Sequence, residues 1–129
     1  FYDTKWNQIS FIIGEAPQDY FGRSISLNSD GSRLAVGGYW NSGNGKRSGH
    51  VRVFEHIDTV WSQIGSDIDG EAEGDEFGYS IELNSSGDTF IAGAFRNDGN
   101  GDLAGHARIF ELVSGEWVQK GKNIIYLNS

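Results

Sequence analysis

Residues 21–38, FGRSISLNSDGSRLAVGG, return at residues 77–94 as FGYSIELNSSGDTFIAGA, and this repeated stretch decides the fold. The offset of 56 residues holds without a gap over residues 14–68, and roughly half of the aligned positions are identical. Within each copy apolar and polar residues alternate, which is typical of strands with two differently packed faces. Turn sequences such as Asp30-Gly31 separate the strands. The chain therefore contains two copies of one β-unit, and no segment has the apolar stripe of a helix.

Each copy holds four predicted strands. They span residues 21–28, 33–40, 49–57 and 60–68 in the first copy, and 77–84, 89–96, 105–113 and 116–125 in the second. A further strand near residues 5–13 matches the fourth strand of a preceding unit. A repeated four-stranded antiparallel unit of this length is the signature of a β-propeller blade.

We therefore predict an all-β fold with two four-stranded antiparallel propeller blades plus an extra N-terminal strand, as part of a larger or oligomeric propeller. Residues 1–19 are assigned to the outer strand and linker of a preceding blade. Residues 20–75 are the first blade, and residues 76–129 are the second, with a truncated or atypical C-terminal end. Small residues at Gly37-Gly38 and Gly93-Ala94 suit the crowded innermost strands. Gly22 and Gly78 would let the backbone approach a neighbouring blade.

Composition and charge exclude several classes of protein. The chain has 129 residues, 19 of them glycine, which argues against a helical bundle. The formal net charge is −8, which argues against a nucleic-acid partner. Cysteine is absent, so there is no disulfide framework or thiolate metal site. No apolar run is long enough to insert into a membrane. The chain opens on Phe1 rather than Met, which favours a processed product or a segment of a longer protein.

The order Phe-Gly, Ser-Ile-x-Leu, a Gly turn and then Ala-Val-Gly-Gly resembles the FG-GAP repeat of the integrin α propeller family. The resemblance covers both copies and implies a seven-bladed propeller, extracellular or cell-surface localisation, and adhesion or ligand binding. It also implies a calcium loop in the first hairpin of a blade. Here Arg33 or Thr89 stands where that loop needs a carboxylate. We therefore expect no high-affinity metal in these hairpins.

The candidate binding surface is placed at the loop that follows the second strand of each copy. Trp40 is not part of the repeated scaffold, because its equivalent is Arg96. The residues predicted to form this surface are Tyr39, Trp40, Arg96, Asn97 and Asp98. Trp6, Trp61 and Trp117 recur once per unit, and are packing landmarks or exposed platforms for sugar.

Two patterns raise the question of a metal. Asp98, Asn100 and Asp102 have the spacing of a calcium loop, although a Gly/Asn turn explains the same residues. Acidic residues also crowd the stretch between the copies, where they could attract a cation or a basic partner, or form a solvated loop. They are Asp67, Asp69, Glu71, Glu73, Asp75 and Glu76. His50 and His106 are equivalent by repeat and favour a structural hydrogen-bonding role. No cofactor is predicted, with calcium as the alternative.

The expected function is that of a non-enzymatic interaction module, an adhesion or structural scaffold protein whose loops bind a protein or glycan ligand. A lectin-like propeller is the alternative, followed by a calcium-dependent binding module. A hydrolase would need an acid pair in a central funnel, and none is evident. Because a propeller closes with four to eight blades, two blades would leave two apolar faces open. Further blades in cis, or self-association in trans, are therefore the expected partners.

Overall fold

Ten strands make up the computed structural model, which describes Gln8, residues 11–94 and residues 105–125. The first sheet contains β1 (Phe21–Leu27), β2 (Arg33–Gly38), β3 (His50–Ile57), β4 (Val60–Gln63) and β5 (Ile68–Asp69). The second sheet contains β6 (Ser80–Leu83), β7 (Thr89–Ala94), β8 (His106–Val113), β9 (Glu116–Gln119) and β10 (Ile124–Ile125). Every pairing between these strands is antiparallel. No helix long and apolar enough to cross a membrane occurs among these residues.

The predicted fourth strand of each copy is divided in two, so each sheet has five strands instead of four. Both β4 and β5 pair with β3, and both β9 and β10 pair with β8. In the first sheet Gln63 pairs with Phe54 and Ile68 with Val51, so four residues bulge out opposite two of β3. Gly65 supplies the positive φ of +73° that this bulge uses. The remaining strands lie within a few residues of their predicted positions.

The N-terminal strand predicted near residues 5–13 is not formed in the part of this stretch that the structure describes. Gln8 and Phe11–Ile13 have no strand pairing, and the other residues of the stretch lie outside the described residues. Phe11 and Ile12 line a groove of about 480 Å³ on the first sheet. A strand requires a neighbouring strand edge for its hydrogen bonds, and this segment lies across the face of the sheet.

The two sheets pack face to face and share one core. In the first sheet, register places Ala35 opposite Val53, and both side chains are fully buried against the second sheet. The second sheet contributes larger side chains, with Phe77 and Phe90 almost completely buried. The buried cluster comprises Ala35, Val51, Val53, Ile68, Phe77, Leu83, Phe90, Ala92, Ala94 and Phe110.

Glycine permits the close approach of the two backbones at the centre of this interface. A Cβ on Gly37 would collide with the carbonyl oxygen of Gly78, and a Cβ on Gly78 would collide with that of His50. The Ser24 hydroxyl donates to the same Gly78 carbonyl at 2.7 Å. The predicted role of Gly37 and Gly78 in close packing is therefore correct. A Cβ on Gly22, the equivalent of Gly78, would meet no atom within 4 Å.

The second sheet buries one of its faces against the first sheet. The equivalent face of the first sheet is exposed. Leu83 is 6% exposed, whereas its repeat equivalent Leu27 is 56% exposed. Ile25 is 61% exposed on the same open face, which we call the leading face of the first sheet. Its apolar residues are Phe21, Ile25, Leu27, Leu34, Val36 and Trp61. Repeat-equivalent residues thus have different environments: within the described residues a sheet covers this face of the second sheet, whereas on the first sheet the segment around Phe11 and Ile12 lies across it.

Trp117 is a packing residue between the sheets. Its indole Nε1 donates to the carbonyl oxygen of Ile64 at 3.0 Å, and its ring meets Phe90 edge-on with centroids 5.1 Å apart. Trp61 occupies the equivalent position on the leading face, where its ring lies 4.9 Å from that of His56. Of the two roles open to the repeated tryptophans, Trp117 therefore fulfils that of the packing landmark.

Candidate binding surface

Three aromatic rings meet where β1 begins and β2 ends. These two strands are antiparallel, so Tyr20, just before β1, comes close to Tyr39 and Trp40, just after β2. The Tyr20 ring lies 4.8 Å from Trp40 in an edge-to-face contact and 5.5 Å from Tyr39. Such edge contacts are favourable because the positive edge of one ring meets the negative face of another. Tyr20 is 51% exposed, so the cluster is accessible from solvent.

Two arginines extend this cluster across both sheets. The Arg47 guanidinium lies 3.9 Å from the centre of the Trp40 ring. Arg23 lies 4.6 Å from the centre of the Tyr79 ring and also donates to the Tyr79 hydroxyl at 3.1 Å. Tyr79 in turn meets Tyr39 edge-on at 5.1 Å. We call the set the aromatic–arginine surface; it comprises Tyr20, Arg23, Tyr39, Trp40, Arg47 and Tyr79.

A pocket of about 380 Å³ adjoins this surface between the segments 15–19 and 40–47. It is lined by charges of both signs, including Glu15, Asp19, Lys46 and Arg47. Gln18 in its wall and Tyr20 next to it have φ values of 66° and 55°. Their equivalents, Gly74 and Glu76, have positive φ as well. This backbone conformation is therefore a feature of the repeated turn and not of a ligand site.

A polar network beneath the pocket holds its wall in place. The Asn41 amide nitrogen donates to Glu15 at 3.0 Å and to Asp19 at 2.9 Å. Arg52 pairs with Glu15 at 2.7 Å and with Asp67 at 2.9 Å. The hydrogen bond to Asp67 raises the pKa of Arg52. Burial would raise the pKa of Asp67, but its hydrogen bonds, that from Arg52 first, outweigh burial and hold the pKa below its usual value.

Both repeated histidines are buried, and within the described part of the chain they lack the hydrogen bonds that were expected of them. Neither ring nitrogen of His50 or of His106 has a hydrogen-bond partner among the described residues. His50 Nδ1 lies 3.8 Å from Asp67, too far for a hydrogen bond. Burial, supported by the positive charge of Arg52, lowers the pKa of His50. Burial likewise lowers the pKa of His106. The uncharged form of each histidine is favoured in this environment.

Of the residues predicted for the binding surface, the structure describes two and places them side by side. Tyr39 and Trp40 adjoin each other at the end of β2, with ring centroids 6.2 Å apart. The other predicted residues lie outside the described residues, both those of the surface and those of the calcium loop. They are Arg96, Asn97, Asp98, Asn100 and Asp102.

Four residues of this surface were not predicted from the sequence: Tyr20, Arg23, Arg47 and Tyr79. The signal was available, because the two copies differ at each of these positions. Tyr20 corresponds to Glu76, Arg23 to Tyr79, and Arg47 to Leu103. The same kind of difference had singled out Trp40. Positions at which the two copies differ therefore indicate this surface better than the spacing of residues within one copy does.

The two hairpins in which the sequence resemblance implied a calcium loop lie side by side and are joined by hydrogen bonds between protein groups. Ser29 N donates to the Ser85 carbonyl at 3.0 Å across the two sheets. Arg33 pairs with Glu55 at 3.0 Å and donates to the Gly87 carbonyl at 3.0 Å. The Arg33 guanidinium thus brings a fixed positive charge to this position.

Two similar sheets related by a constant offset, with a glycine contact between them, define a β-repeat protein. Comparison with known families gives the kind of repeat: residues 13–54 match the family model of the FG-GAP repeat. This match covers most of the first sheet and agrees with the resemblance that the sequence pattern had indicated. No curated protein matches the chain.

Proposed function

We propose that this chain is a non-enzymatic propeller interaction module, two consecutive blades of a larger assembly that serves in adhesion or as a scaffold. One observation carries the proposal: the face buried in the second sheet is open in the first. Leu27 and Leu83 occupy the same repeat position and differ in exposure by a factor of about nine. An exposed apolar face of this kind marks an interaction site.

The opposite face of each sheet supplies the complementary half of the contact. On the first sheet this face has small side chains and packs on the second sheet. Its residues are Ser24, Ser26, Ala35, Gly37, Val51 and Val53. The equivalent residues on the second sheet have no neighbouring sheet within the described structure; they are Ser80, Glu82, Ile91, Gly93, Ala107 and Ile109. We call this the trailing face. A leading face can therefore receive the trailing face of another unit, as the two sheets here already do.

The additional units are further blades in cis or further copies of the chain in trans. Closure of a propeller takes four to eight blades. The observed contact joins two different surfaces, the trailing face of one sheet and the leading face of the next. Units that repeat this contact therefore all point the same way. Contacts of this heterologous kind generate rings when the rotation closes and open arrays when it does not.

The ligand proposed for the aromatic–arginine surface is a protein. The surface consists of tyrosine, tryptophan and arginine, the residue types that dominate binding energy at protein interfaces. An extracellular or cell-surface location follows from the family resemblance and is part of the proposal. A glycan is the second candidate, because Tyr20 offers an exposed ring beside a polar pocket. Arg47 already covers one face of the Trp40 ring, which favours the protein ligand.

The open faces predict concentration-dependent self-association of the 129-residue chain. Sedimentation velocity up to about 0.1 mM should detect species larger than the 14.2 kDa protomer. Ile25→Asp places a charge on the leading face and should shift the chain to a monomer. Val60→Asp is the matched control, because Val60 is 57% exposed but points to the other side of the sheet. A wild-type chain that stays monomeric throughout this range would contradict open-face association in trans.

A glycan array separates the two candidate ligands. The protein-ligand proposal predicts no array binding above background for the wild-type chain or for Trp40→Ala. Binding that Trp40→Ala reduces about tenfold, the loss of roughly 1.4 kcal/mol, would instead establish the lectin. Circular dichroism of both proteins should be identical, because Trp40 lies outside the core cluster.

A further inference from the structure

A set of five polar or charged residues, which we call the charged frame, occurs at equivalent positions in both copies and differs at one of them. The equivalent residues are related by the same offset of 56. Glu15, Asp19, His50, Arg52 and Asp67 return as Glu71, Asp75, His106, Arg108 and Asn123. The acid at position 67 is thus an amide at position 123.

In the first copy an arginine fills the frame. Arg52 donates to both oxygens of Asp67, at 2.9 and 3.0 Å, and its Nη2 lies 2.7 Å from Glu15. Bidentate pairing of this kind fixes the plane of the guanidinium. The positive charge of Arg52 therefore offsets one of the two carboxylate charges next to His50, and its guanidinium occupies the ligand oxygens that a metal ion would need.

In the second copy the equivalent arginine is directed elsewhere. Asn123 carries no charge, and it donates its amide to Glu71 at 2.9 Å. Arg108 donates instead to Gln119 at 3.1 Å and to the carbonyl of Asp69 at 3.2 Å. Its guanidinium lies over the ring of Phe110, 4.8 Å from the centre. Exchange of Asp67 for Asn123 thus removes the carboxylate that holds the equivalent arginine in a bidentate pair.

Three ligand atoms converge at this point. Glu71, Asp75 and His106 each offer one, and all three atoms lie within 4.8 Å of one another. The His106 side chain is 1% exposed, and neither of its nitrogens has a hydrogen-bond partner among the described residues. Its Nδ1 faces Glu71 Oε1 at 3.6 Å. That separation is too long for a hydrogen bond, but it is close to the roughly 3.4 Å between two ligands of one tetrahedral ion with 2.0–2.1 Å bonds.

We propose that Glu71, Asp75 and His106 form a binding site for a divalent transition-metal ion, with Zn²⁺ as the best match. One imidazole nitrogen and two carboxylate oxygens suit this borderline ion, and water would complete a tetrahedron. Two carboxylates and a neutral imidazole balance its double charge. Glu71 is 40% exposed, so the site can be reached from solvent. The ion would join the acidic stretch before the second sheet to β8, independently of any ligand or further blade.

Zinc binding is tested with the chain stripped of metal by EDTA and titrated with ZnCl₂ in a calorimeter. We expect one equivalent to bind and to raise the melting temperature. His106→Ala and Glu71→Gln should each weaken binding about tenfold or more, since even outer-shell changes cost 10- to 100-fold. His50→Ala is the matched control, because it removes the equivalent histidine from the frame that Arg52 fills, and it should bind zinc as the wild type does.

A second measurement distinguishes loss of the metal site from loss of folding. Co²⁺ in place of Zn²⁺ should give the visible absorption bands of a tetrahedral site, which Glu71→Gln, a change at a partly exposed side chain, should abolish while circular dichroism stays unchanged. Absence of saturable binding would overturn the proposal. Binding that survives both His106→Ala and Glu71→Gln would mean an adventitious ion only, and binding that is lost only in His50→Ala would place the ion in the first copy; either result would overturn the proposal.

Discussion

Phe77→Ala is expected to lower the free energy of unfolding by about 3–5 kcal/mol, the usual loss for a fully buried phenylalanine. Phe77 is 0% exposed and belongs to the core that the two sheets share. Its ring lies 6.1 Å from Phe110, and the Arg108 guanidinium lies 4.9 Å from its centre. Truncation would therefore leave a cavity between the sheets that neither can fill. Urea unfolding followed by tryptophan fluorescence measures the loss.

Phe21→Ala is the matched control for this prediction. Phe21 occupies the same position in the first copy, but it lies on the leading face and is only half-buried. We expect it to cost less than half as much as Phe77→Ala. Equal losses at the two positions would mean that the leading face is covered in solution, which the sedimentation experiment would reveal as an assembled wild type. Equal losses in a monomer would refute the packing described here.

Gly78→Ala is expected to be at least as damaging, for a reason of backbone geometry. Gly78 has a φ of +93°, and the added methyl group would meet the carbonyl of His50 and the backbone of Gly37. Backbone atoms in two paired strands cannot move aside without separating the sheets. We expect a loss of about 3 kcal/mol or more, of which about 1–2 kcal/mol is the conformational strain of a positive φ. Thermal melting and urea unfolding both measure this loss.

Gly22→Ala isolates the two contributions to that loss. Gly22 has a φ of +97°, so the conformational strain is matched, but an added methyl group there would meet nothing within 4 Å. We expect only the strain of about 1–2 kcal/mol. The difference between the two variants is then the contribution of the contact between the sheets. A difference near zero would show that the close approach of Gly78 to the first sheet does not limit stability.

The sequence repeat was enough to predict the position of most strands and the packing of one sheet on the other. A constant offset, alternating polarity and glycine turns located the strands, and the glycines of the inner strands indicated close packing at Gly37 and Gly78. The bulge that separates β4 from β5 was not predicted, because residues 60–68 were assigned to one strand that continues through Gly65. Its origin is the positive φ of Gly65, which a periodic pattern does not report.

The site was less predictable, because its residues come together only through strand pairing. Tyr39 and Trp40 are adjacent in sequence and could be selected as a pair. Tyr20 and Tyr79 reach them from β1 and from the other sheet, which no local pattern indicates. His50 and His106 were assigned hydrogen bonds on the basis of their equivalence. Among the described residues neither buried imidazole has such a bond, because Asp67 and Glu71 lie just beyond hydrogen-bond range.

The difference between the leading and trailing faces gives any stack of these units a polarity. One end presents the large apolar side chains of the leading face, and the other end presents the mixed trailing face, in which Ser80, Gly93 and Ala107 lie beside Ile91 and Ile109. Growth is then limited either by curvature that brings the last unit back to the first, or by a terminal unit with one face made polar. A copy with one face made polar would join the end of a stack and prevent the next unit from binding. It would therefore stop growth at a small fraction of the concentration of the intact protein.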